Sequence, residues 1–185
     1  MSWIRTEDPD SAEGRSKEVL ERILGERGHI ANIFATQSLE PDVLNHHLDL
    51  YMALMLGKGP LTRDEREMIA VVVSAANKCA YCAVHHCEAL ESVEKDPSAL
   101  HKLLKEFAGK HESPRYKALL AYAAKLTLAP KDITEEDIKD LRDTGLTDAD
   151  ILRANLIASY FNFSNRIALG LGVDLEKGEA RTYKY

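Results

Sequence analysis

Apolar residues in this chain recur three and four positions apart along most of its length, without the steady alternation that a half-buried strand requires. That period fixes the fold class as all-α. "KEVLERIL" sets Val19, Leu20, Ile23 and Leu24 on one stripe, and "PDVLNHHLDLYMALMLG" starts a helix at Pro41 and stops it at Gly57. Thr62 with Glu65 makes a capping box for "TRDEREMIAVVVSAA". Thr134 opens "EEDIKDLRDTG" in the same way, with Ile133 and Ile138 placed as a hydrophobic staple and Gly145 closing the helix. "SPRYKALLAYAAKLTLAP" supplies another helix between Ser113 and Pro130, and Thr147 opens the last long one. The expected architecture is a bundle of about seven or eight helices with short connections. At 185 residues one domain can bury a proper core, and residues 1–12 and 174–185 read as polar tails.

Charge narrows the function. With 24 Lys and Arg against 30 Asp and Glu, the net charge of -6 offers no footing for nucleic acid. "MSWIRTEDPD" lacks the basic flank and apolar run of a signal peptide, and the longest apolar stretch, Ile69 to Ala76, is far too short to span a bilayer. The expectation is a soluble cytoplasmic protein with no membrane partner. In a reducing compartment, closely spaced cysteines serve catalysis or metal binding more often than structure.

The stretch "NKCAYCAVHHCEAL", residues 77 to 90, concentrates that chemistry. On a helix turning about 100° per residue, Cys79, Cys82 and His86 share one stripe, while His85 and Cys87 fall away on opposite sides. One stripe cannot surround an ion, and a zinc site would need carboxylates or histidines from elsewhere, such as Glu67 or the pair His46 and His47. A Cys-x-x-Cys at a helix start is a known redox device, since its thiols can pair and the positive helix end stabilises a thiolate. Asn77 is placed as the N-cap of that helix. The polar break at Asn77 and Lys78 lets the helix carrying Glu67 fold back instead of running on for about 18 Å.

The pattern Glu67-x11-Cys79-x2-Cys82-x3-His86 resembles the motif of the alkylhydroperoxidase D proteins, within the larger carboxymuconolactone decarboxylase superfamily. The likeness extends more loosely from about Leu39 to Val173, where "LTRDEREMIAVVVSAANKCAYC" and "SNRIALGLGV" look like the peroxidase-related branch. The resemblance implies an all-helical, oligomeric thiol peroxidase. In it Cys82, nearer the histidine, attacks a hydroperoxide, Cys79 resolves it, and Glu67 and His86 form a proton relay. The type members carry a histidine between the cysteines, where this chain has Tyr81; a phenol donates a hydrogen bond but is a poor proton shuttle at neutral pH.

Geometry also favours Cys82 as the nucleophile. His86 lies one turn beyond it, and helical side chains lean toward the N-terminus. No cofactor and no metal are assigned. The partners expected are a hydroperoxide and a thiol or lipoyl-type reductant. Self-association into a trimer or hexamer is expected from the resemblance and from helices that are apolar on most faces. Two other readings stand beside this one: a redox sensor or zinc-binding protein without turnover, and a carboxymuconolactone decarboxylase-like enzyme. Cys87 reads as a small buried hydrophobe, His85 as a helix-surface group, and His46 and His47 as bystanders. Tyr160, Phe161 and Phe163 read as core, while Asn165 and Arg166 are candidates to line the site.

Overall fold

A computed structural model describes residues 2–93 and 113–176, and among them the chain is helical with no strand. Among the described residues there are eight α-helices: α1 (Gly14–Arg27), α2 (Asn32–Ala35), α3 (Pro41–Tyr51), α4 (Arg63–Ala76), α5 (Ala80–Val93), α6 (Pro114–Leu128), α7 (Glu135–Asp143) and α8 (Asp148–Gly170). No helix among these residues is long and apolar enough to cross a membrane.

The capping signals lie where the helices begin. Thr62 accepts from the Glu65 N–H while the Glu65 carboxylate takes the Thr62 N–H at 2.9 Å. Thr147 and Asp150 repeat the exchange at α8. At α7 the Asp137 carboxylate takes the Thr134 N–H at 2.7 Å. Ile133 and Ile138 pack against the core there, and Gly145 turns the chain away at φ 86°.

Helix α4 is the axis of the fold, packed against α5, α6 and α8. Every residue from Glu65 to Ser74 is buried, so the apolar character that runs round this helix is absorbed within the chain itself. That removes α4 as a physical reason for self-association.

Three local expectations meet a different structure. Leu24, at the edge of the α1 stripe, is 49% exposed, whereas Val19, Leu20 and Ile23 are buried. The helix from Pro41 widens into a π-helical turn at Met52–Leu56 before stopping at Gly57. A Cβ on Gly57 would lie 2.7 Å from the Ala53 carbonyl oxygen, so the stop needs glycine. The carbonyls left without helical partners are taken by Arg66, whose Nη1 donates to Gly57 O at 2.7 Å, and by Arg153, whose Nη1 donates to Ala53 O at 2.8 Å. Thirdly, the polar ends are held. The Trp3 N–H donates to Leu171 O at 2.8 Å, Ala12 is buried, and Asp174 O accepts from the Asn32 side chain. Residues 177–185 of the second expected tail lie outside the described residues.

Candidate active site

The site begins with the turn that reverses α4 into α5. Asn77 does not cap α5; it ends α4, and its amide donates to Asn162 and Asn165 of α8 at 3.1 and 3.0 Å. Lys78 then takes a left-handed backbone at φ 57°, a conformation that reverses the chain within one residue. Cys79 therefore occupies the cap position itself: its carbonyl accepts the first helical hydrogen bond of α5, from the Ala83 N–H at 3.0 Å, and its own N–H returns to Ser74 O at 2.9 Å. The reversal lays α5 along α4, which brings together Glu67 and a histidine 19 residues away.

The two sulfurs of the Cys-x-x-Cys lie 2.9 Å apart, hydrogen-bonded and unlinked, with both residues buried. The pair behaves as one site that holds a single proton tightly. The hydrogen bond from Cys82 is the main reason that Cys79 is brought down to about 7; burial opposes it, and nearby His85 helps. The same hydrogen bond, with burial and the neighbouring Cys79 charge, pushes Cys82 well above the ordinary thiol range, against a hydrogen bond from Asn165. The resting charge thus falls on the cysteine at the helix end.

Glu67 is 0% exposed. Its Oε2 lies 2.7 Å from His86 Nδ1, and its Oε1 lies 2.6 Å from Arg63 Nη2, an ionic contact out of line for a hydrogen bond. Bound this way, the carboxylate holds the imidazole in the tautomer with a proton on Nδ1, leaving Nε2 for chemistry. His86 also meets Phe161, edge-on at 4.4 Å between ring centres. The expected aim of His86 at the Cys82 sulfur is not seen as a direct hydrogen bond, because the ring is committed on its Nδ1 side to α4. Cys82 and His86 instead form parts of the wall of one cavity of about 70 Å³, and Cys79 does not reach that wall.

Much of the remaining wall is aromatic, with Phe34, Tyr51, Tyr81, Tyr160 and Phe161, and it carries the guanidinium of Arg27. Arg27 is 5% exposed; its Nη2 lies 3.4 Å from the Tyr51 hydroxyl and its guanidinium 5.2 Å above the Tyr51 ring.

Several residues read as bystanders are bound into this neighbourhood. His47 is buried, its Nδ1 2.9 Å from Gln37 Oε1 and its Nε2 2.7 Å from the Tyr160 hydroxyl; burial pushes it down to about 4, so it is neutral. His85 is no free surface group. Its Nε2 lies 2.8 Å from Glu176 Oε2, and Oε1 of the same carboxylate accepts from the Tyr81 hydroxyl at 3.0 Å and the Asn32 N–H at 2.7 Å. Burial alone would push Glu176 up, but the hydrogen bonds from His85 and the Asn32 N–H outweigh it and hold the carboxyl at about 2. Tyr81, in the position of the type members' histidine, thus helps tie the segment after α8 to α5.

Tyr160 and Phe161 are core residues that also form wall, while Phe163 is 45% exposed. Asn165 is buried and reaches the Ser74 hydroxyl at 3.2 Å as well as Cys82; Arg166 faces solvent and binds the Asn162 carbonyl. Cys87 is buried, as its spacing suggests. Among the described residues no three His, Cys, Asp or Glu side chains converge as metal ligands. The site thus gathers all four sequence-expected residues, Glu67, Cys79, Cys82 and His86. It adds Arg27, His85, Asn165 and Glu176, of which only Asn165 had a sequence signal.

The carboxymuconolactone decarboxylase family model matches residues 41–125. The alkylhydroperoxidase AhpD core of an uncharacterized peroxidase-related protein from Ralstonia eutropha JMP134 shares 31% identity at a TM-score of 0.85, over 95% of this chain and 93% of that one. An uncharacterized peroxidase-related protein from Silicibacter sp. TM1040 shares 30% identity at a TM-score of 0.86, over 97% and 96% of the two chains. The debrominase Bmp8, in complex with 2,3,4-tribromopyrrole, has the same fold at 16% identity and a TM-score of 0.79, over 96% and 93%. No curated protein sequence matches the chain.

Proposed function

The chain belongs to the alkylhydroperoxidase D-like group of the carboxymuconolactone decarboxylase superfamily, and from that membership we propose that it is a thiol-dependent hydroperoxide reductase. The observation that carries this reading is the reduced cysteine pair, with sulfurs 2.9 Å apart, whose inner member shares a cavity wall with a histidine held by a buried carboxylate.

The chemistry starts from a pair holding one proton. When that proton shifts to Cys79, Cys82 is the thiolate that faces the cavity, and its sulfur attacks the outer peroxide oxygen. The O–O bond breaks, Cys82 becomes a sulfenic acid, and the departing alkoxide takes the proton from Cys79. Cys79, now the thiolate, attacks the Cys82 sulfur and expels hydroxide, closing the disulfide. His86 takes up a proton from solvent on Nε2 and passes it to the hydroxide to give water, and Glu67 stabilises the imidazolium that carries it. In sum, one thiol, one thiolate, one hydroperoxide and one proton give a disulfide, an alcohol and water. A thiol or lipoyl-type dithiol then reduces the disulfide.

The test is a single turnover: reduced protein given one equivalent of cumene hydroperoxide should yield one equivalent of alcohol and lose two thiols, both at Cys79 and Cys82 by peptide mapping. Unreacted peroxide with both thiols intact would overturn the proposal in favour of a sensor or binding role.

A further inference from the structure

Arg27 points to the class of substrate, an inference that rests on the reading above for its chemistry but not for its test. Its guanidinium lies in the last turn of α1, where the helix dipole favours a cation, yet it turns inward to the cavity wall. There its partner is aromatic, a long contact to the Tyr51 hydroxyl and the face of the Tyr51 ring. Burying a guanidinium without an opposite charge is unfavourable, and its five donors form a fork that matches a carboxylate.

The acids of the site do not supply that charge. Glu67 is held by Arg63 and His86, and Glu176 by His85, Tyr81 and Asn32. Among the described residues no carboxylate forms an ion pair with Arg27. The wall includes Ile33, Phe34, Tyr160 and Phe161, which suit a compact apolar or aromatic body, and His29, His85 and Ser164 add polar groups to it. At about 70 Å³ the space admits roughly five to seven water-sized groups, enough for a small ring with its substituents.

We propose that Arg27 anchors a carboxylate on the substrate, so that the cavity takes a compact hydroperoxide carrying an acid, with its peroxide end toward Cys82. The acid replaces water on the guanidinium, and the aromatic wall excludes solvent around the ion pair.

Calorimetry tests this without turnover. Reduced wild-type protein is titrated with benzoate and with benzamide, its neutral near-isostere, neither of which can be reduced by a thiol. Benzoate should bind about tenfold more tightly or better, from two charge-assisted hydrogen bonds, and Arg27→Gln should abolish the preference while still binding benzamide, which shows the cavity intact. Arg27→Lys, which keeps the charge and loses the fork, should retain only part of it. Equal affinity for the two probes, no binding of either, or a benzoate preference surviving in Arg27→Gln overturns the assignment.

A kinetic arm uses benzyl hydroperoxide bearing a para-carboxylate and its carboxamide counterpart. The ratio of their kcat/KM values should fall from about ten or more to about one in Arg27→Gln. If benzoate binds through Arg27 but no hydroperoxide is reduced, the proposed activity fails and the acid-binding site stands. If uncharged cumene hydroperoxide is reduced but benzoate has no preference, the reverse holds.

Discussion

Replacing Cys82 by alanine removes the side-chain hydrogen bond that does most to bring Cys79 down to about 7, and leaves burial, which acts in the opposite direction, against the backbone N–H of residue 82 and His85, which still lower it. Cys79 should then titrate higher, back toward its unperturbed 9.0. At pH 7 a thiol titrating at about 7 is about half ionised, whereas one at 9 is about 1% ionised, so the variant loses much of its thiolate at neutral pH. Ultraviolet absorbance of the anaerobic reduced protein reads this directly: one thiolate should appear near pH 7 in the wild type, with the second absent until strongly alkaline pH. Folding stability should follow the same shifts. A thiol whose folded value is depressed stabilises the fold fully above its unfolded value and loses that contribution as pH falls through the folded one. Cys79 therefore adds on the order of 2–3 kcal/mol between about pH 7 and 9, by two units at 1.36 kcal/mol each. Cys82, raised instead, costs stability as pH climbs beyond about 9. Urea unfolding of the reduced wild type should accordingly strengthen from pH 7 to 9 and weaken above it, and the rise should shrink in Cys82→Ala. A wild-type thiolate appearing only near pH 9, or one still near 7 in the variant, would refute the shared-proton pair.

Three further outcomes follow from named contacts. Glu67→Gln should slow peroxide reduction by roughly 10²-fold. Because Arg63 loses its buried counter-charge, the variant should also lose about 3 kcal/mol, or roughly 6–12 °C in Tm; an unchanged rate and melt would make Glu67 a bystander. His47→Gln should flatten the acid side of the stability curve: the depressed histidine stabilises the fold above about 6.5 and loses about 3 kcal/mol as pH falls toward 4, so equal slopes in variant and wild type count against its burial as a neutral ring. Glu176→Gln should remove stability held above about pH 4.5, on the order of 3 kcal/mol, which in the wild type fades as pH falls toward 2, and should raise amide hydrogen exchange at Asn32; unchanged exchange would place no tie there.

The four candidate site residues were legible because their relation is written in local spacing. Three lie within one short stretch of α5, and Glu67 is fixed relative to them by helix geometry plus one reversal, which the polar Asn77 and Lys78 mark. Even there the reversal was readable and its mechanics were not: a left-handed Lys78 made Cys79 the cap and moved Asn77 to the end of α4. The contacts that complete the site join segments far apart in the chain, His85 to Glu176 and His47 to Tyr160, and depend on how helices cross. Periodicity says which face of a helix turns inward but not what it meets. Arg27 shows the limit best, since a basic residue in a last turn reads as ordinary dipole compensation until the cavity beside it is seen.

The central claim is that Cys82, the cysteine on the cavity wall, attacks the peroxide even though the resting charge lies on Cys79. Reduced Cys79→Ser and Cys82→Ser proteins, each given one equivalent of hydroperoxide with a sulfenic-acid trap, test it by peptide mass spectrometry. Cys79→Ser should consume its equivalent and carry the trap on Cys82, and Cys82→Ser should do neither. A trapped sulfenate on Cys79 of the Cys82→Ser protein, formed at the wild-type rate, would assign the attack to the thiol at the helix end instead.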